Sequence, residues 1–361
     1  MIVVMERTAT EGEIADVVER LTAAGCRVHR LDAERVTLGA TGGKPDAGAL
    51  EALPGVAAAL DDTTSPLVTG AGAPAARDAR GQAERPATPG PDRRESAHPE
   101  SGDRGFAIDD RWVGGEELFV IAGPCSVEEP DIMESIAAGV AKAGAIGLRA
   151  GAYKPRTSPY SFQGVGEEGL VTLRRAADRH GLLVVSEVLD ATQIPIAVRY
   201  CDILQVGARN MHNTSLLREL GRARRPVLLK RGLAATIDEW LDAAEYVVSG
   251  GNRRVILCER GIRTFETATR NTLDLNAVPA VRARSRLPIL VDPSHGTGHR
   301  DYVAPMALAA VAAGADGLMI EAHVTPDQAL SDGRQTISLE TLAALMSQAR
   351  MVASLLSTRS A

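Results

Sequence analysis

The chain has 361 residues, 45% of them hydrophobic, with 40 Lys and Arg against 46 Asp and Glu for a net charge of −6. That length allows one large domain and a smaller one, and the acidic balance excludes a general nucleic-acid binder, because no excess of cation exists to replace counterions. The four cysteines (Cys26, Cys125, Cys201, Cys258) are far apart with no CxxC pair, the start Met-Ile-Val-Val-Met-Glu6 has no basic leader, and no stretch approaches the ~20 apolar residues that span a bilayer; a soluble cytoplasmic protein with no membrane or nucleic-acid partner is expected.

Residues 1–69 read as a small α/β unit. Ile2–Met5 has the pattern of a short strand. Glu11–Ala24 has helical spacing, with Ile14, Val17, Val18 and Leu21 on one face and Gly25 as a stop. Residues 26–31 and 35–39 suggest two more strands, Leu50–Leu60 a second helix, and residues 65–69 an edge strand. The order βαββαβ is the ferredoxin-like arrangement. Nothing in this segment carries catalytic chemistry, and its plainer reading is an oligomerisation module. Residues 70–105 contain no Leu, Ile, Val, Met or Phe. Too little apolar surface is available there to offset ordering entropy, so a flexible linker is expected.

Residues 106–361 read as the second domain. Apolar runs of strand length begin at Leu118, Ile146, Leu182, Ile203, Val227, Val255, Ile289 and Leu318. Helical patterns lie between them, as over 131–143, 166–180, 237–249 and 303–313. Aromatics are only 3% of the chain, so its apolar mass is Ala, Val, Leu and Ile, which suits helices packed on a buried parallel sheet. Eight strands with helical crossovers predict a (β/α)8 TIM barrel. An open doubly wound sheet is the alternative, but Gly123-Pro-Cys-Ser126 is not the Gly-rich dinucleotide turn that such a sheet often carries.

Unusual polar residues fall at the carboxyl ends of these strands, which share one face in a closed barrel. The stretch Arg149–Gly164 holds Arg149, Lys154 and Arg156, broken by Pro and Gly so that it cannot continue as strand. With Arg209, Lys230 and Arg260 these cations surround one mouth. Their mutual repulsion favours bound anions, phosphate and carboxylate above all. Cys125, His295, Glu321 and Asp332 sit at the same ends and supply thiolate, imidazole and two carboxylates. Each alone has a plainer reading: a buried cysteine, a loop histidine, a solvated acid. Together they suit a Lewis-acidic divalent metal (Mn, Fe, Co, Cu or Zn) without choosing among them.

Several motifs occur in order: Gly123-Pro-Cys-Ser126, Lys154-Pro-Arg-Thr-Ser158, Gln205-Val-Gly-Ala-Arg209, Leu229-Lys-Arg-Gly232, Cys258-Glu-Arg-Gly261, Asp292-Pro-Ser-His295 and Ala329-Leu-Ser-Asp-Gly333. On these the chain resembles the 3-deoxy-D-arabino-heptulosonate 7-phosphate (DAHP) synthases over residues 110–355, and its amino-terminal unit resembles the regulatory domain of their type I beta branch. The resemblance implies condensation of phosphoenolpyruvate with D-erythrose 4-phosphate and water, the entry step of the shikimate pathway. It implies that Arg149, Lys154, Arg209, Lys230 and Arg260 hold phosphoenolpyruvate. It places Arg156 and Thr157 near the phosphate of erythrose 4-phosphate, and it makes Cys125, His295, Glu321 and Asp332 the ligands of a divalent metal (Mn, Fe, Co or Zn). Lys154, Cys125 and His295 are then the catalytic set, with Lys154 a proton donor and Glu187 or a metal-bound water helping to activate water. A homo-oligomer, tetrameric, with an aromatic amino acid effector is implied as well. The nearest alternative is 3-deoxy-D-manno-octulosonate 8-phosphate synthase. It has Lys-Ala-Asn-Arg-Ser-Ser where this chain has Lys-Pro-Arg-Thr-Ser, so Pro155 and Arg156 favour the four-carbon aldehyde.

Overall fold

A computed structural model describes residues 2–60 apart from positions 7, 33–35, 42 and 44, residues 104–154, position 160, and residues 163–357. The chain divides into two units, Met1–Arg93 and Arg94–Ala361. In the first, β1 (Ile2–Met5), α1 (Glu11–Ala23), β2 (Arg27–Asp32), β3 (Val36–Thr41), α2 (Ala47–Glu51) and β4 (Val56–Leu60) follow in order. The strands pair antiparallel in the order β2-β3-β1-β4, the ferredoxin-like topology. Thr10 starts α1 with a capping box: its hydroxyl accepts from the Glu13 N–H at 3.3 Å while the Glu13 carboxylate accepts from the Thr10 N–H at 2.7 Å. The helix then buries Ile14, Val17 and Leu21 against Val3, Met5 and Leu38.

One expected element is corrected. The helix predicted over Leu50–Leu60 is two elements. Residue Leu50 belongs to the short α2, and Val56–Leu60 is β4, with Val3 opposite Ala59. Alanines favour a helix locally, but Gly55 takes a left-handed φ of +77° that breaks it, and ladder pairing with β1 decides the rest. The strand predicted at 65–69 and the linker stretch 70–103 lie outside the described residues.

The second unit opens with a hairpin, β5 (Phe106–Ile108) and β6 (Arg111–Val113), which the sequence pattern did not reveal. Eight parallel strands follow: β7 (Phe119–Gly123), β8 (Gly147–Arg149), β9 (Leu183–Glu187), β10 (Ile203–Val206), β11 (Val227–Lys230), β12 (Val255–Glu259), β13 (Ile289–Val291) and β14 (Gly317–His323). β14 pairs with both β13 and β7, so the ring closes. Around it run α3 (Pro130–Ala143), α4 (Glu167–Arg179), α5 (Ile194–Tyr200), α6 (Thr214–Arg222), α7 (Ile237–Ser249), α8 (Ala277–Arg282), α9 (Pro293–Thr297) and α10 (Arg300–Ala312). A two-residue strand, β15 (Ile337–Ser338), leads into the last helix, α11 (Leu339–Ser357). Each barrel strand lies within two residues of its sequence-based position, because strands buried on both faces read as unbroken apolar runs. Among the described residues no helix is long and apolar enough to cross a membrane.

The hairpin is the floor of the barrel. Phe106, Ile108 and Val113 share one buried cluster with Phe119, Ile121, Leu228 and Met319 from the strands. Burying each such side chain contributes about 1.5–3 kcal/mol. Arg104 fastens the hairpin, donating to the carbonyls of Ser285 at 3.0 Å and Leu287 at 2.9 Å and to Asp316 at 3.3 Å. The apolar interior therefore ends at a closed base, and chemistry is confined to the other end.

Half-buried Glu245 on α7 has an Oε1 with no hydrogen-bond partner among the described residues, and burial followed by repulsion from Asp242 raises its carboxyl to about 7. The folded-state pKa is above the unfolded one, so this group lowers stability progressively as pH climbs from ~4.3 through ~7. Glu245→Gln is expected to raise the melting temperature at pH ~8 and to leave it unchanged near pH ~4, measured by scanning calorimetry. Equal shifts at both pH values would mean that the carboxylate is solvated.

Candidate active site and metal centre

The strand ends are brought together by local backbone chemistry. Gly123 ends β7 with φ +145°, and a Cβ there would stand 2.4 Å from the Arg149 carbonyl, so only glycine lets the two strand ends meet. Cys125 follows on the next turn. After β13, Asp292 caps α9: its Oδ1 accepts from the His295 N–H at 2.9 Å, with Pro293 in the first helical turn. Glu321 lies within β14, its N–H donating to Ser294 Oγ at 3.0 Å. Asp332 lies in the loop after β14 with a left-handed φ of 57°.

Ligand-type atoms of Cys125, His295, Glu321 and Asp332 all lie within 4.8 Å of one another, although 207 positions separate the first from the last. Cys125 donates to Asp332 Oδ2 at 3.0 Å, and His295 Nε2 stands 3.3 Å from Glu321 Oε1. Outer partners orient them. Asp292 Oδ2 lies 2.7 Å from His295 Nδ1, and Gln335 donates to Glu321 Oε2 at 2.6 Å. Arg270 donates to Asp332 Oδ1 at 3.1 Å and to Gln335 Oε1 at 2.8 Å. Burial, together with Glu321, pushes the Cys125 thiol up to about 11 despite Lys154 and Arg149. Burial also pushes His295 down, toward the neutral imidazole that binds metals. Burial raises Asp332, but His295, the Cys125 hydrogen bond and Arg270 outweigh it and bring the carboxyl down to about 2. A soft thiol, an imidazole and two carboxylates, each braced from outside, fit a transition-metal ion of borderline softness.

Three of the expected cations, Arg149, Lys154 and Lys230, bond to this cluster or to Asp292 behind it, and here an expectation is refined. Repulsion among them is partly relieved from within. Arg149 pairs with Glu321 at 2.8 Å and Lys230 with Asp292 at 2.6 Å, both pairs buried. Asp292 is held well below the usual carboxylate range, burial notwithstanding, by His295 and Lys230. Lys154 is buried and donates to Cys125 Sγ and to the Cys125 carbonyl, both at 2.9 Å. Arg260 differs: it is 6% exposed, has no carboxylate partner among the described residues, and contacts only the Gly261 carbonyl at 3.3 Å. Burial lowers its pKa, and the nearby Asp292 carboxylate, which no hydrogen bond joins to it, does not make up the loss. Arg209 is exposed on the single turn Ala208–Asn210 after β10.

Arg156 and Thr157 lie outside the described residues. Glu187 ends β9 and accepts from Gln205 Nε2 at 2.8 Å. Arg231, beside Lys230, pairs with Glu259 and Asp274, each at 2.9 Å, and is occupied by structure. Sequence reasoning noticed Asp292 without its bracing role, which the Asp-Pro-Ser-His cap would have suggested. Nothing in the sequence announces Arg270, Gln335 or Glu128, whose partners are long-range.

Both units of the chain are similar to known proteins. The model described as the DAHP synthetase I family matches residues 104–357, and that described as the DAHP synthase ferredoxin-like domain matches residues 1–61. Phospho-2-dehydro-3-deoxyheptonate aldolase of Thermotoga maritima is 51% identical over 256 residues, 71% of this chain and 75% of that protein. A more distant relative, 2-dehydro-3-deoxyphosphooctonate aldolase of Geobacter sulfurreducens, is 32% identical over 263 residues, 66% of this chain and 94% of that protein. Among solved structures, the Thermotoga maritima DAHP synthase is similar with a TM-score of 0.70 and 40% identity over 98% of this chain and 97% of that one. Its truncated form aligns with a TM-score of 0.66 and 46% identity over 70% of this chain and 93% of that one.

Proposed function

Because the chain belongs to the DAHP synthetase I family, we propose that the mouth at the carboxyl ends of β7–β14 is where its two substrates are held and joined. The reaction is the condensation of phosphoenolpyruvate with D-erythrose 4-phosphate and water, giving DAHP and inorganic phosphate. C3 of the enol phosphate attacks the aldehyde carbon. The positive character left at C2 is captured by water, whose proton is lost, and the tetrahedral intermediate expels phosphate by C2–O cleavage.

The convergence of Cys125, His295, Glu321 and Asp332 carries this assignment of the site. A divalent ion held by these four would supply Lewis-acid polarisation of the aldehyde oxygen. The chain's own groups do the rest. Arg260 is a desolvated cation awaiting an anion and takes the phosphate or carboxylate of phosphoenolpyruvate, with Arg149, Lys154, Lys230 and Arg209 around it. Arg156 and Thr157 take the phosphate of erythrose 4-phosphate. Holding two multiply charged anions within reach of each other is an orientation effect that solution cannot match. Lys154, anchored on Cys125, would donate a proton to the aldehyde oxygen as the alkoxide develops. Glu187, held by Gln205, helps to activate the water.

The ion would be Mn, Fe, Co or Zn. The protein would act in the cytoplasm as a homotetramer whose ferredoxin-like unit receives an aromatic amino acid, a reading supported by the family match over residues 1–61. The substrate test is direct. Phosphoenolpyruvate should disappear when erythrose 4-phosphate is supplied and persist with arabinose 5-phosphate. Consumption with arabinose 5-phosphate alone would replace this reading by the eight-carbon synthase.

A further inference from the structure

Asp332 sits on a loop with little structure of its own, running from the end of β14 to β15, and that loop is pinned from outside. Ser331 Oγ lies 2.7 Å from Ser126 Oγ, Arg270 donates to Asp332, and Arg300 donates to the Gly333 carbonyl at 2.7 Å. A further anchor is an acid that the reaction does not use. Glu128 is 8% exposed, three residues beyond Cys125. Its Oε1 accepts from the Leu330 N–H at 3.0 Å. Its Oε2 lies 3.1 Å from His323 Nε2, an ion-pair distance whose angle falls short of a hydrogen bond. The His323 ring is fixed by the Thr325 N–H, which donates to Nδ1 at 2.9 Å and so assigns the ring proton to Nε2, facing the carboxylate. One buried carboxylate thus ties the segment bearing Cys125 to two points on the approach to Asp332, the end of β14 at His323 and the loop at Leu330.

We propose that Glu128 is a positioning residue for the metal centre: by fastening Leu330 and His323 to the segment after β7, it sets the separation of Cys125 and Asp332. This rests on the reading of the four-residue cluster as a metal centre. The physical reason is entropic. Asp332 occupies a backbone region that few residues adopt, and a loop free to leave it presents its carboxylate to the ion only part of the time. Groups behind metal ligands commonly change affinity by about 10–100-fold when removed.

The test uses the full chain stripped of metal and titrated with Co2+ against a competing chromophoric chelator, with the cobalt–thiolate absorption reporting on Cys125. Glu128→Ala is expected to weaken Co2+ about 10–100-fold while the absorption at saturation and the metal-free melting temperature stay near those of the parent. Glu128→Gln keeps an acceptor for Leu330 and should recover most of the loss. Glu128→Asp keeps charge and burial but shortens the reach, so it decides the matter if the alanine variant does not fold; about tenfold weaker binding is expected. Parental Co2+ affinity in Glu128→Asp overturns the proposal, as does a Glu128→Ala effect confined to the melting temperature. Cys125→Ala runs alongside: if it binds Co2+ like the parent, the metal-centre reading has failed instead.

Discussion

Cys125→Ala is expected to lose its divalent metal on dialysis and to turn over about 10³-fold more slowly than the parent, equivalent to several kcal/mol of transition-state charge stabilisation. The thiol is the one soft donor in the cluster, and it lies within 4.8 Å of each of the other ligand atoms. Removing it leaves an imidazole and two carboxylates, which hold first-row ions more weakly. The fold should survive, because the truncation is small and Lys154 keeps its contact with the residue-125 carbonyl. Metal content and phosphoenolpyruvate consumption are the measurements. In the parent, a chelator should abolish activity and added Mn2+ restore it. Full turnover by Cys125→Ala would remove this residue from the site.

Arg260→Met is expected to cut kcat/KM for phosphoenolpyruvate by about 10–100-fold, the loss of a charge-assisted hydrogen bond to a buried anion. The same change should raise the melting temperature of the substrate-free protein. Arg260 is buried, lacks a carboxylate partner among the described residues, and has its pKa lowered by that burial. A methionine of similar length carries no such desolvation cost. Opposite signs in the two measurements are the signature of a group kept for its ligand. A variant that is both less stable and fully active would show that Arg260 supports the barrel and not the substrate.

The fold was largely legible because the barrel strands are buried on both faces. Runs such as Leu118–Ala122 and Val227–Lys230 admit few other readings once helical spacing separates them. The hairpin Phe106–Val113 escaped because two three-residue strands give no periodicity to count. The helix expected over 50–60 is absent because the Gly55 turn and the pairing with β1, which local sequence does not encode, override alanine's helix propensity. At the site, the four ligand-type residues and the cations were legible as strand-end anomalies. Their pairing was not: Arg149 and Glu321 are 172 positions apart, Lys230 and Asp292 62. The sequence showed a crowd of positive groups, while the structure divides them into Arg149 and Lys230, which already have carboxylate partners, and Arg260, which has none among the described residues.

The sealed base beneath the barrel has a kinetic corollary. With Phe106, Ile108 and Val113 stopping one end, both reactants and both products use a single doorway. A reactant seated nearer the core is covered by the one seated outside it, and product leaves by the way the reactants came.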